Sequence, residues 1–231
     1  VSGADRSAGT EVYRCTPVAW KCTDVRIHAT GDVDAWGVLV AAGGDSIVEV
    51  GDDSWSRMPE RRRLIVEAAL EVIADQGVNR TTHRAIAERA RVPLGSLTYH
   101  FDGLDDLICQ GFRRLAGVLA TRYRAAIARA RTRDAACEAV ADLICGGTYA
   151  DEREMVVLLE LYAYGNHSAG AEAVRREWMA VSRDSLAVHF DSQAQRAIDA
   201  LIEGWTIHRL FAGEAPEREA VLRAVRAVAL V

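Results

Sequence analysis

Gly95 and Ser96 are the residues whose types and placement promise the most specific chemistry in this chain. They lie in the run Pro93-Leu94-Gly95-Ser96-Leu97-Thr98-Tyr99-His100-Phe101. Leu97 and Phe101 are four apart, so on a helix they share the inner face, and Gly95 and Ser96 then point outward with almost no bulk. A helix whose outer tip is that small can sit deep in a DNA major groove, where base edges offer hydrogen-bond donors and acceptors. Pro93 supplies a pre-set φ for its start. Two further helices must hold it. In the first, Ile65, Ala68, Ala69, Val72 and Ile73 recur at i, i+3, i+4, i+7 and i+8, one apolar stripe. Gly77 ends that helix as a left-handed residue would. Thr81 and Thr82 open the second, their hydroxyls suited to an orphan amide hydrogen, and Ile86, Ala87 and Ala90 form its inner face. The three together read as a helix-turn-helix over residues 58–103.

The pattern AA…I…G…TT…IA..A.V..GSL.YHF…DDL across residues 61–107 resembles the N-terminal domain of bacterial TetR-family transcriptional regulators. That resemblance implies an all-α fold of about nine helices: a three-helix DNA-binding domain, then a ligand-binding and dimerisation domain over 104–231. It also implies the contacts to double-stranded operator DNA: Arg80, Thr82, His83 and Arg84 at the second helix, then Leu94, Gly95, Ser96, Thr98, Tyr99 and His100. Tyr99 and His100 suit phosphates, whereas the tip from Leu94 to Ser96, with Thr98, suits base edges. A small-molecule inducer entering the second domain would shift the fourth helix and release the DNA, making the protein a repressor. The chain departs from the family pattern at Arg91, in the corner where Gly is usual, at Thr98 where Tyr is common, and at Leu104 where Lys is common.

Composition sets limits on these expectations. The 231 residues suffice for two modest domains, and no apolar run approaches the ~18–20 residues of a membrane span; a cytoplasmic protein without a membrane partner is expected. The net charge is −5, with 28 basic against 33 acidic residues. Residues 58–107 contain seven basic and eight acidic residues, so DNA affinity must come from a few well-placed arginines. This near-neutral head and the missing Lys favour the alternative of a helical small-molecule-binding protein whose head does not bind DNA. The five cysteines are odd in number and irregularly spaced, which argues against a disulfide framework. Cys109, Cys137 and Cys145 fall in helical patterns and read as small buried hydrophobes.

Beyond the head, helices are expected at about 104–131, 134–145, 151–164, 169–190, 193–212 and 216–230, with Asp134 as a cap and Asp151 to Glu154 as an acidic helix start. Large or polar residues on otherwise apolar helices mark a candidate ligand pocket: Phe112, Glu160, Tyr162, Trp178, His189, Trp205 and His208, with Tyr164 beside them. The 193–212 helix is apolar on more than one side and so should be buried twice. Its Ala197, Leu201, Gly204 and His208, with Val221, Val225 and Val228 of the last helix, form the candidate homodimer interface.

No phosphate-cradling Gly loop, nucleophile elbow or His-x-x-x-His pair points to catalysis, so no enzyme and no cofactor are expected. His189, His208, Cys109 and Cys145, or Cys15, Cys22 and His28, lack the close-spaced pair of a metal site. Residues 1–57 mix Gly, Asp, Thr and Val without helical periodicity. With Met58 the first methionine, they read as a poorly structured or artefactual extension.

Overall fold

The computed structural model describes residues 53–146 and 149–230. Among them the architecture is all-α. Helices α1 (Asp53–Arg57) and α2 (Glu60–Gln76) lead into a 3-10 turn (Val78–Arg80), followed by α3 (His83–Ala90), α4 (Gly95–His100), α5 (Leu104–Ala128) and α6 (Arg133–Cys145). The chain continues through α7 (Glu152–Tyr164), α8 (Ala169–Leu186), α9 (Ser192–Ala212) and α10 (Arg218–Ala229). This makes ten helices among the described residues, against about nine expected. The additional one is α1, which lies within the segment read as an extension. Its five residues are too few to show periodicity, but Trp55 packs against the head core and lies under the Arg114 guanidinium, 4.3 Å from the ring centroid. Residues 1–52, with Cys15, Cys22 and His28, lie outside the described residues.

Two cores organise the described residues. In the head, Ile65, Val66, Ala69 and Val72 of α2 meet Ile86 of α3, Leu97 and Phe101 of the α4 region, and Leu107 of α5. The larger core joins α5 to α10. Successive residues of α5 divide between them: Leu107 belongs to the head core and Ile108 to the body core. Ile73 and Val78 of the head also reach into the body core. A shift of α5 along its axis would therefore disturb both cores at once, because close-packed interiors transmit displacement.

Local signals set most element ends. Thr82 accepts from the Ala85 amide at the start of α3, as its hydroxyl suggests. Asp151 caps α7 in a full capping box with Glu154, which gives the acidic start at 151–154 a structural function. Three expectations shift. Thr132, not Asp134, caps α6, accepting from the Ala135 amide; Asp134 instead pairs with Arg226 of α10 at 2.8 Å. Helix α8 stops at Leu186, with Ala187 as its C-cap, so His189 and Phe190 lie in a turn. Gly77 has φ +77° but an extended ψ of 164°, a conformation open essentially to glycine alone and not the left-handed helical one.

Arg91 does occupy the left-handed corner of the helix-turn-helix, with φ 55° and ψ 44°, where a side chain costs roughly 1–2 kcal/mol. Arg91→Gly should therefore stabilise the protein. The added freedom of glycine in the unfolded chain returns part of the gain, leaving about 0.5–1 kcal/mol, or a Tm rise of about 1–4 °C for a domain of this size. Thermal unfolding of the two proteins side by side measures this. A lower Tm for the glycine variant would mean that contacts of the Arg91 side chain outweigh its strain.

Candidate nucleic-acid interface and aromatic cluster

The tip of α4 is presented as its sequence suggests. Leu97 is enclosed and Phe101 nearly so, and Arg62 lies against the Phe101 ring, 5.1 Å from its centroid. On the other side Leu94 is 52% exposed and Tyr99 84% exposed. A Cβ added at Gly95 would meet nothing within 4 Å. Thr98 is exposed, but its hydroxyl turns back to the Gly95 carbonyl at 3.1 Å. Arg84 at the start of α3 and Arg80 at the end of the 3-10 turn are exposed, while His83 and His100 are half-buried. Thr82 is exposed although its oxygen is committed to the cap. Arg80, Arg84 and Arg91 form no ion pair among the described residues. Arg89 is held by Glu71 at 3.0 Å and Asp75 at 2.6 Å. Arg80, Arg84 and Arg91 thus remain available.

The head is tied to α7 at two points. Asp75 also receives Arg153 of α7 at 2.7 Å, and the two guanidiniums, Arg89 first, hold its carboxyl below the usual range. Glu160 of α7 accepts the Val78 amide hydrogen at 3.0 Å, and its carboxylate lies against Gly77. An amide orphaned after α2 is thus satisfied by a residue 82 positions away. This places Glu160 at the head–body boundary and outside the ligand cluster in which it was expected.

The other pocket candidates also separate. Phe112 is fully enclosed near Tyr164. Tyr164 donates to Asp105 at 2.7 Å. His208 is exposed and His189 lies in the turn after α8. Trp205 is half-buried against the body core. Tyr162 and Trp178 do come together, with residues that the sequence did not single out. Trp178 stacks on Tyr149 (centroids 6.2 Å apart), and Tyr149 meets Tyr123 edge-on at 6.1 Å. Tyr162 donates to Glu203, and Ser182 donates to Asp199 at 2.5 Å. Asp199 and Glu203 are one turn apart on α9, in line with the buried Ile202 and Thr206. A separate open cavity of about 370 Å³ lies between the end of α6, α7 and the end of α9, lined by Cys145, Met155, Thr206 and Arg209 among others. None of the candidate ligand residues lines it. No group of three or more metal-ligating side chains occurs among the described residues.

Burial pushes the Asp199 carboxyl up, opposed by the Ser182 hydrogen bond and by Arg183. Burial also raises Glu203, with Tyr162 opposing. A carboxyl whose folded pKa lies above its unfolded value of about 4 stabilises the fold only at low pH. That contribution is lost as pH rises through the folded pKa. Asp199→Asn, which keeps the shape and cannot ionise, should raise Tm at pH 7–8. The gain should shrink towards pH 4. A pH-independent difference would assign the effect to packing.

The dimer candidates divide in the same way. Val221 and Val225 are fully enclosed within the subunit, and Leu201 and Val228 are half-covered by its core. The two valines therefore cannot form an interface, because the amphipathic face of α10 is spent on α6 and α9. On α9, Ala197 and Gly204 are half-buried, Ala200, His208 and Phe211 are exposed, and a Cβ at Gly204 would meet nothing within 4 Å.

Three comparisons bear on this arrangement. A sequence model of the family described as "Bacterial regulatory proteins, tetR family" matches residues 65–109, from the α2 stripe into α5. The transcriptional regulator BetI of Brucella melitensis is 25% identical over 181 residues, covering 75% of this chain and 88% of its own. The crystal structure of the multidrug binding protein EbrR complexed with ethidium is 28% identical, with a TM-score of 0.63 over 74% of this chain and 98% of that one. The crystal structure described as that of a transcriptional regulator, SCO7518 of Streptomyces coelicolor A3(2), is 39% identical. It covers 75% of this chain and 100% of that one with a TM-score of 0.70. None of the described helices is long and apolar enough to cross a membrane. A helix-turn-helix head on a helical body, matched over three quarters of the chain at that identity, places this chain in the TetR family of transcriptional regulators.

Proposed function

We propose that the protein is a cytoplasmic, homodimeric repressor that binds operator DNA through α3 and α4 and leaves it when a small molecule enters the helical body. The observation that carries this reading is the tip of α4. Leu94 and Tyr99 are exposed and Gly95 is open, on a helix backed by the enclosed Leu97 and Phe101. An exposed aromatic and an exposed leucine on a rigid, six-residue helix favour contact with a partner, since a helix that merely closes the head core would bury them. Gly95 and Ser96 would approach base edges, Tyr99 and His100 the phosphates, and Arg80, His83 and Arg84 the flanking backbone, with Thr82 at the helix start. The exposed Ala200 and Phe211 on α9, with the half-buried Gly204 between them, are proposed to meet their two-fold mates, setting the spacing of the two heads.

EbrR, similar in sequence and fold, has been crystallised with imidazole, ethidium, proflavin and malachite green, which supports a small-molecule guest for the helical body here. The coupling is proposed to run along α5, which divides between the two cores, and along α7. Helix α7 carries Tyr162, which reaches Glu203 of α9, and Glu160, which reaches the head. A gel-shift titration with the DNA upstream of the protein's own gene, at two salt concentrations, tests the reading. Retarded bands for that duplex and none for a scrambled one are expected, and equal retardation of both would reject it.

A further inference from the structure

Asp199, buried, and Glu203, half-buried one turn on, stand on α9 with one hydroxyl partner each and no ion-pair partner among the described residues. Asp199 is 8% exposed and accepts only from Ser182; Glu203 accepts from Tyr162. Neither belongs to an ion pair among the described residues, whereas Asp134, Glu138, Asp142 and Glu154 are each matched to an arginine. Burying a carboxylate without a counter-charge is unfavourable, and one hydrogen bond does not offset it. Tyr123 adds an independent sign. It is 2% exposed, and its hydroxyl has no hydrogen-bond partner. Ser182 and Asp199 are the polar groups that act on it, and the Ser182 proton is already given to Asp199. Buried hydroxyls are nearly always satisfied, so an orphan beside an acidic pair marks a place for another polar or charged group. Around them stand the rings of Tyr149, Tyr162 and Trp178. Aromatic faces attract cations through their quadrupole, Trp most strongly.

We propose that Asp199 and Glu203, with Tyr123, Tyr149, Tyr162 and Trp178, form the binding site for an aromatic organic cation. The assignment rests on the reading of this chain as a ligand-responsive regulator and names the class of its ligand. An anionic guest would meet two acidic groups, and a neutral one would supply no counter-charge when they ionise. The cation replaces the Tyr162 hydroxyl at Glu203, freeing a residue of α7, the helix that also holds the head through Glu160.

The charged and titratable groups facing the pair are Tyr123 from α5, Tyr149 from the α6–α7 connection, Tyr162 from α7, and Arg175 and Arg183 from α8. The two arginines act at longer range and favour ionisation only weakly. Burial outweighs them and holds both carboxyls towards the protonated form. The arriving cation reverses that balance: each carboxyl that ionises gives its proton to solvent and keeps its electron pair to face the guest. Affinity therefore rises with pH.

The test uses the full chain without DNA, so its outcome is separate from that of operator binding. Three fluorescent or absorbing probes are titrated at pH 5.5 and 8: ethidium, uncharged phenanthridine and the anion 8-anilinonaphthalene-1-sulfonate. Ethidium is expected to bind at least tenfold tighter than phenanthridine at pH 8 and to weaken severalfold at pH 5.5, with proton release detected by calorimetry in two buffers. Glu203→Gln and Asp199→Asn, both checked for helicity and melting, should each weaken ethidium about tenfold and leave phenanthridine unchanged. Tighter binding of phenanthridine or the anion would overturn the cation assignment while sparing the regulator reading. Parental affinity for ethidium in both variants, or no binding of any probe, would overturn the site itself.

Discussion

Gly95→Leu is expected to lower operator affinity by roughly a hundredfold or more while leaving the melting temperature close to that of the parent. Nothing lies within 4 Å of the position a Cβ would take, so the leucine enters solvent and the head core is untouched. At a groove floor the same side chain would hold α4 away from the bases. Each lost base contact is worth about 1–3 kcal/mol, and a two-fold arrangement loses it in both half-sites. Tyr99→Phe provides the contrast. It removes one hydroxyl from an exposed ring, so binding should weaken by about 1 kcal/mol with sequence preference unchanged. Anisotropy titrations against the operator and a scrambled duplex separate the two effects. A Gly95→Leu protein that bound the operator like the parent would remove α4 from the major groove.

Gly204→Glu should convert a dimer into a folded monomer. Within the subunit the substitution is benign, because the added side chain meets no neighbour within 4 Å and glutamate favours a helix interior over glycine by roughly 0.5–1 kcal/mol. Between two copies it places a pair of like charges in a desolvated face, at a cost of several kcal/mol. Sedimentation should show a single chain, with operator affinity lowered at least tenfold because the second half-site is no longer tethered. Val225→Glu would look similar in a binding assay for a different reason: Val225 is enclosed in the body core, so its charge unfolds the subunit. Circular dichroism distinguishes them. A dimeric, fully active Gly204→Glu protein would move the interface off this face of α9.

The head was legible because its signals are local and mutually consistent. The α2 stripe, the Thr82 cap, Pro93 and the Leu97–Phe101 spacing all act within a few residues of one another, and each agrees with the next. Arg91 was legible as strain for the same reason, since one backbone corner decides it. The body helices were legible in register but not in partner. Val221 and Val225 belong to an apolar face, and periodicity does not say whether that face meets its own subunit or another. Glu160 could not be read, because the amide it satisfies is 82 residues distant. Asp199 and Glu203 were missed because charge on a helix ordinarily signals solvent, and only the packing of α5, α7 and α8 around α9 shows that here it does not. Trp55 was missed because a single helical turn carries no period.

The most direct test of the whole account is a fluorescence titration of the protein against a labelled duplex from upstream of its own gene, beside a scrambled duplex, with salt and ethidium each varied. About a thousandfold preference for the upstream duplex is expected, with two chains per site, affinity falling steeply with salt, and release by ethidium at concentrations that leave the Glu203→Gln protein bound, which separates binding to the protein from intercalation into the duplex. The same affinity for both duplexes, with ethidium without effect, would contradict the account.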